Sequence, residues 1–112
     1  MLLLAILVTP LALLPLVYAG CAITPSSGHV EIPASWTSIA YQAFYSCSSL
    51  TSVSFESGSQ LTTIGDRAFQ SSGLSGSITL PASLTSIEYF AFSFCSSLTS
   101  VSFESGSQLT TI

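Results

Sequence analysis

A repeat array wound into a solenoid is the architecture this sequence predicts, and three observations carry the prediction. The eighteen residues from Cys47 to Ile64 return unaltered from Cys95 to Ile112. Self-similarity at a fixed period in so short a chain outranks local propensity, because it decides the architecture. The motif Ile39-x3-Ala43-Phe44 recurs as Ile64-x3-Ala68-Phe69 and Ile87-x3-Ala91-Phe92, and Ile112 begins it again. Around Val53 and Phe55 apolar residues alternate with Ser52 and Ser54, the period-two pattern of a half-buried strand.

The copies can be laid end to end as Val30 to Leu50, Thr51 to Leu74, Ser75 to Leu98, and an incomplete copy from Thr99 to Ile112. Their isoleucines are spaced 25, 23 and 25 residues apart, the longer steps being those in which Glu-Ser-Gly-Ser-Gln replaces Pro-Ala-Ser. The true unit is therefore a pair of coils. Each coil opens with a strand whose inward residues are Val53 and Phe55, Ile78 and Leu80, or Val101 and Phe103. A turn follows, made by Pro33-Ala34-Ser35 and Pro81-Ala82-Ser83 or by the insertions carrying Gly58 and Gly106. Next comes an apolar pair: Trp36 and Ile39, Leu61 and Ile64, Leu84 and Ile87, Leu109 and Ile112. The coil closes on segments such as Gly65-Asp66-Arg67-Ala68-Phe69, for which one helical turn with Asp66 at its N-terminus is expected.

These residues carry a family resemblance. The string Leu-Thr-x-Ile-x3-Ala-Phe-x2-Cys-Ser-Ser-Leu-Thr-Ser-Val-x-Phe/Leu-Pro resembles the BspA-like, or Treponema-type, leucine-rich repeat over nearly everything after His29. The resemblance implies an α/β solenoid of about three and a half coils. It would be a right-handed coil with a parallel concave sheet and short helical or irregular convex segments. The third coil departs from the pattern, since Gln70 to Ile78 lacks the cysteine and shifts its leucine. One coil cannot offset the entropy of ordering its own backbone, so stability must come from interfaces between neighbours. The last copy stops at Ile112 without a polar cap, which suggests a domain at residues 30–112 that is truncated at its C-terminus.

Ahead of the repeats, residues 1–19 are almost wholly apolar and end in Val17-Tyr18-Ala19, a small-residue pattern that suits signal peptidase. A secretory signal is the expectation, although no Lys or Arg opens it. A membrane-spanning segment is the alternative. Tyr18-Ala19-Gly20-Cys21 also looks like a bacterial lipobox, which would place a lipid on Cys21. Residues 20–29 are read as a linker.

Composition narrows function more by exclusion than by assignment. Arg67 is the single fixed cation against five acidic residues, for a net charge of -4, so there is no basic surface for nucleic acid. Charged residues are 5% of the chain, against roughly 25% in ordinary soluble domains, and polarity comes from hydroxyls instead. That suits a secreted or cell-surface location. Three cysteines are an odd number, from which no disulfide framework can be read. Cys47 and Cys95 share a repeat position two coils apart, a separation of about 10 Å that exceeds the roughly 7 Å limit for a bridge, and both are expected as buried thiols.

The residues that could carry chemistry point away from catalysis. Serine nucleophiles need a base and an orienting acid within reach, yet the chain has one histidine, His29, read as exposed ahead of the first coil, and no Gly-x-Ser-x-Gly elbow. No enzyme activity, cofactor or metal site is expected. Glu56 and Glu104 read as solvated rim charges. Phe44, Phe69 and Phe92 read as core by periodicity. Tyr41, Tyr45, Tyr89, Phe90 and Phe94 vary between copies, and packing against adjacent coils is expected for them in preference to exposure.

What remains is the concave face, which should present Ser52, Ser54, Ser77, Thr79, Ser100 and Ser102 as a hydroxyl-lined ladder with Glu31, Glu56 and Glu104 near one end. Solenoids bind through such faces, and hydroxyls both donate and accept, which suits protein backbone or carbohydrate. The resemblance implies a surface module that binds or adheres to a protein or glycan partner. A spacer without a ligand of its own is the alternative.

Overall fold

The computed structural model describes residues 21–112, so the expected signal or membrane segment lies outside the described residues. Seven parallel-pairing strands form the frame: β1 (His29–Ile32), β2 (Ser38–Ile39), β3 (Ser52–Phe55), β4 (Thr63–Ile64), β5 (Ser75–Leu80), β6 (Ser86–Ile87) and β7 (Ser97–Phe103). Each odd-numbered strand opens a coil. The even-numbered ones are two-residue rungs of a second layer, ordered β2-β4-β6, in which Ile39 pairs Ile64 and Ile64 pairs Ile87. Alternation decides which way β1 and β5 face: Val30 and Ile32 are buried while His29 and Glu31 are exposed, and β5 repeats this with Ile78 and Leu80 inside, whereas Val53 and Phe55 of β3 are half-buried and Val101 and Phe103 of β7, expected inward, are exposed.

The core is a set of columns. Phe44, Phe69 and Phe92 stack with ring centres 5.1 and 5.3 Å apart and planes within 3° and 4° of parallel. Ile39, Ile64 and Ile87 form a second buried column, and Cys47, Ser72 and Cys95 a third. Equivalent residues of successive coils thus fill equivalent places, as the period requires. Ser72, at the position of the missing cysteine, lies 3.5 Å from the Cys95 sulfur, which also donates to the Phe69 carbonyl at 3.1 Å.

No helix forms among the described residues, so the α/β description gives way to a β-solenoid of about three turns. The Gly65 to Phe69 segment and its counterparts are instead runs of turns. Ala43, Ala68 and Ala91 each donate to the carbonyl three residues back, at 3.1, 3.1 and 3.3 Å. Between these, Phe44 donates to Ala68 O and Phe69 to Ala91 O, both at 2.7 Å, across to the following coil. A helix would need those amides for bonds within its own segment. The expected cap Asp66 accordingly caps nothing. Its carboxylate takes the Arg67 guanidinium at 3.1 and 3.2 Å. The price is backbone strain: Gln42, Ser46, Arg67, Ser71, Phe90 and Phe94 all carry φ between 55° and 60°, a region costly to side chains other than glycine.

The strand layer is also not one continuous sheet. β1 pairs β3, and β5 pairs β7, as two separate two-stranded sheets. The chain is one residue short between Ser72 and Leu74, where the second coil passes into the third, which brings Gly73 against the first coil: a Cβ there would lie 2.4 Å from Ser48 O. β5 is thereby displaced, leaving Ser75 N to Thr51 O at 3.0 Å as a link to the preceding strand. The deficit is absorbed against β7 by a register shift between Gly76 and Ser77.

Of the expected linker at residues 20–29, the described residues, 21–29, form a folded cover on the first coil. Ser26 and His29 exchange backbone hydrogen bonds at 2.9 Å across Ser27 and Gly28, whose φ of 52° and 84° fit a type I′ turn. Ala22 N donates to Ala43 O at 2.8 Å, and Cys21 and Ile23 pack on the core. A disulfide joins Cys21 to Cys47, with Cα atoms 5.3 Å apart. Cys47 is therefore not a free thiol, and Cys21 has no sulfur valence left for a lipid while that bond is in place. Cys95 alone is free, and buried. Repeat spacing ruled out Cys47 with Cys95, but it was silent on a partner outside the repeats.

Candidate binding surface

The outward side chains of the strand layer fall into two clusters, one on each two-stranded sheet. On β5 and β7, Ser77 pairs with Ser100 and Thr79 with Ser102 in register, all four exposed. The Thr79 and Ser102 hydroxyls are 3.0 Å apart. On β1 and β3, His29 pairs with Ser52 and Glu31 with Ser54. The His29 ring bridges the two serines, with Nδ1 2.7 Å from Ser52 Oγ and Nε2 3.0 Å from Ser54 Oγ.

All six Ser/Thr positions expected on this face are therefore on it, though split into pairs by the break between β3 and β5. His29 joins them. It is exposed, as expected, but it lies within the first coil and not ahead of it, because strand β1 begins one residue earlier than the repeat laid out from Val30. The alternation that buries Val30 turns His29 outward beside Ser52. A neutral imidazole donates through one nitrogen and accepts through the other, so it orders both serine hydroxyls whichever tautomer it holds.

Glu56 and Glu104 do more than solvate a rim. Glu56 Oε1 accepts the Ala34 amide at 2.7 Å, and Glu104 Oε1 accepts the Ala82 amide at 3.0 Å. Each carboxylate of a Glu-Ser-Gly-Ser-Gln loop thus ties down the Pro-Ala-Ser turn of the coil before it. The alternating insertion and the alternating proline turn are two halves of one contact, repeated every pair of coils.

On the opposite, turn-bearing side, Tyr41, Tyr45, Tyr89, Phe90 and Phe94 are exposed, Tyr89 and Phe94 to 78% and 77%. Packing against neighbouring coils, expected for them, does not bury any of the five, although Arg67 of the preceding coil lies over the Phe90 ring at 5.1 Å. The turn backbones already use the next coil for hydrogen bonds and point these side chains away from it. Among the described residues, no group of three or more His, Cys, Asp or Glu lies close enough to hold a metal ion. Ser52 with His29 has no carboxylate hydrogen-bonded to the ring that would complete a triad.

Comparison with known proteins bears on this geometry. A profile of the BspA-type leucine-rich repeat region matches residues 17–112 in six copies. Among solved structures, the pneumococcal vaccine antigen PcpA superposes with a TM-score of 0.69 at 36% identity, over 78% of this chain and 23% of that one. A leucine-rich cell surface protein from Faecalibacterium prausnitzii A2-165 is 25% identical over 78% of this chain and 30% of its own, with a TM-score of 0.46. The chain thus spans less than a third of either. No curated protein matches it.

Proposed function

The chain belongs to the BspA-type leucine-rich repeat family, and from that premise we propose that it is a secreted or surface-displayed module that binds a protein or glycan partner through its strand face. The observation that carries this reading is the outward-facing array of His29, Ser52, Ser54, Ser77, Thr79, Ser100 and Ser102, paired in register between neighbouring strands. Neighbouring side chains hold the hydroxyls of Ser52, Ser54, Thr79 and Ser102 in place, so a ligand meets a partly preset array of donors and acceptors, which lowers the cost of ordering on binding. Two facts favour an extracellular setting. A disulfide such as Cys21–Cys47 persists in oxidising compartments, and a similar solved structure is that of a pneumococcal vaccine antigen.

The test is binding of the chain to immobilised host-cell extracellular matrix proteins and to a glycan array, comparing wild type with Ser52→Arg and Ser100→Arg. Saturable binding that both substitutions abolish, with the fold intact by circular dichroism, supports the reading. Absence of any saturable partner favours a spacer. Binding indifferent to both substitutions places the contact elsewhere.

A further inference from the structure

Each Glu-Ser-Gly-Ser-Gln loop grips the proline turn of the coil before it. The Glu104 loop takes both backbone polar groups of Ala82, the amide through Glu104 Oε1 at 3.0 Å and the carbonyl through Gln108 N at 3.2 Å. Ala82 is thereby committed to the fourth coil, and the Glu56 loop of the second coil, on the other side of the turn, has no such hold on it. Among the described residues, no backbone hydrogen bond crosses from residues 57–59 to the Pro81-Ala82-Ser83 turn. A Cβ built on Gly58 would meet nothing within 4 Å.

A cleft of about 290 Å³ stands open at this joint. Its floor is the Pro81-Ala82-Ser83 turn of the third coil. One wall is Ser57, Gly58 and Ser59 of the second coil, and the other is Glu104 of the fourth. Floor and walls come from three successive coils, so the cleft lies within the array. It follows from a short turn lying between two long loops, the alternation that defines the pair of coils.

The lining restricts what can fill it. Pro81, Ala82 and the half-buried Phe55 supply an apolar patch. The hydroxyls beside it differ in what they have left to offer. Ser59 Oγ accepts the Leu61 amide at 3.2 Å, which leaves its proton free to donate. Ser83 Oγ gives its proton to the Leu61 carbonyl at 2.6 Å, which leaves its lone pairs. Glu56 and Glu104 each engage a backbone amide through Oε1, and a carboxylate has acceptor sites beyond that one bond. An anion would meet two carboxylates and no lining cation. A volume of 290 Å³ is near the lower bound of roughly 300–1,000 Å³ for small-molecule sites, which suits one ring better than an extended peptide. A ligand with one apolar face and several hydroxyls, each able to donate and accept, matches the whole set.

We propose that this cleft binds one neutral sugar residue of a glycan, its apolar ring face on Pro81 and Ala82 and its hydroxyls shared among Glu56, Glu104 and the lining serines. The site lies among the loops that follow β3, β5 and β7, apart from the serine array, and holds whether or not the strand face binds a partner.

The test is titration of the ¹⁵N-labelled full chain with the methyl glycosides of glucose, galactose, mannose and N-acetylglucosamine, and with glucuronic acid, followed through amide chemical shifts. At least one neutral glycoside should give saturable shifts centred on residues 57–59 and 82–83, and glucuronic acid none. Glu104→Gln, whose amide oxygen can still accept the Ala82 N–H, should weaken binding about three- to tenfold. Ala82→Leu, which fills the floor, should abolish it. Glu88→Gln, which removes the same charge from the turn-bearing side, should leave it unchanged. No saturable shift with any neutral glycoside, an equal response to glucuronic acid, or wild-type affinity in both Glu104→Gln and Ala82→Leu would each overturn the proposal. Shifts centred on His29, Ser52 and Ser54 would overturn it too, while leaving the strand-face reading in place. The amide spectrum and thermal melt of each variant separate lost binding from lost fold.

Discussion

The ring of Phe69 lies 5.1 Å from that of Phe44 and parallel to it within 3°, with Phe92 continuing the stack on its other face. Aromatic pairs in isolation prefer tilted or offset arrangements. Here the coil repeat brings equivalent side chains to the same orientation, and the column follows from the period.

Phe69 is fully buried between two rings, whereas Phe92 is only partly buried at the end of the column. Phe69→Ala should therefore cost about 3–5 kcal/mol, and Phe92→Ala clearly less. Urea denaturation followed by circular dichroism measures both. Equal losses would mean the column does not behave as a stack.

The Cys21–Cys47 bond closes a loop with a sequence separation of 26. Chain entropy assigns such a loop about 3.5 kcal/mol, so Cys21→Ser should lower stability by an amount of that order. The chain has three cysteines, so denaturation without reductant should expose one reactive thiol, that of Cys95, and with reductant three. Three without reductant would refute the pairing.

Removing the carboxylate clips should loosen the turns they hold. Glu56→Ala is expected to cost roughly 0.5–1.5 kcal/mol, the ordinary net value of one hydrogen bond, because it frees the Ala34 amide. Glu31→Ala, with no such backbone contact, should cost less. Hydrogen exchange at Ala34 and Ala82 in Glu56→Ala and Glu104→Ala respectively is the direct readout, and unchanged protection would show that the clips carry no energy.

Relief of left-handed strain should stabilise the fold. Ser71 holds φ of 60°, and Ser71→Gly should gain about 0.5–1 kcal/mol, the strain released less the added entropy of the unfolded glycine. Gly73→Ala should act in the opposite sense, since its Cβ would meet Ser48 O at 2.4 Å and Leu50 O at 2.9 Å. Thermal melts of the two variants should move in opposite directions.

Much of the fold was legible in the sequence because a solenoid presents nearly the same surroundings to equivalent residues of every coil. Burial then has the period of the repeat. Ile39, Ile64 and Ile87, the phenylalanine column, and the outward serines from Ser52 to Ser102 could all be placed from spacing alone. The sequence by itself also excluded a basic surface, since Arg67 stands alone.

What escaped it has no period. The bond from Cys21 to Cys47 joins a residue outside the repeats to one inside. His29 acquires its role from the Ser52 and Ser54 hydroxyls of the next coil. The turns replaced a helix because Phe44 and Phe69 give their amides to neighbouring coils, a competition that no single segment records. The single-residue deficit before Leu74 was visible, but only packing of Gly73 against Ser48 decided that it would split the strand layer between β3 and β5. Repetition encodes which way a residue faces, and tertiary structure decides which unlike residues meet.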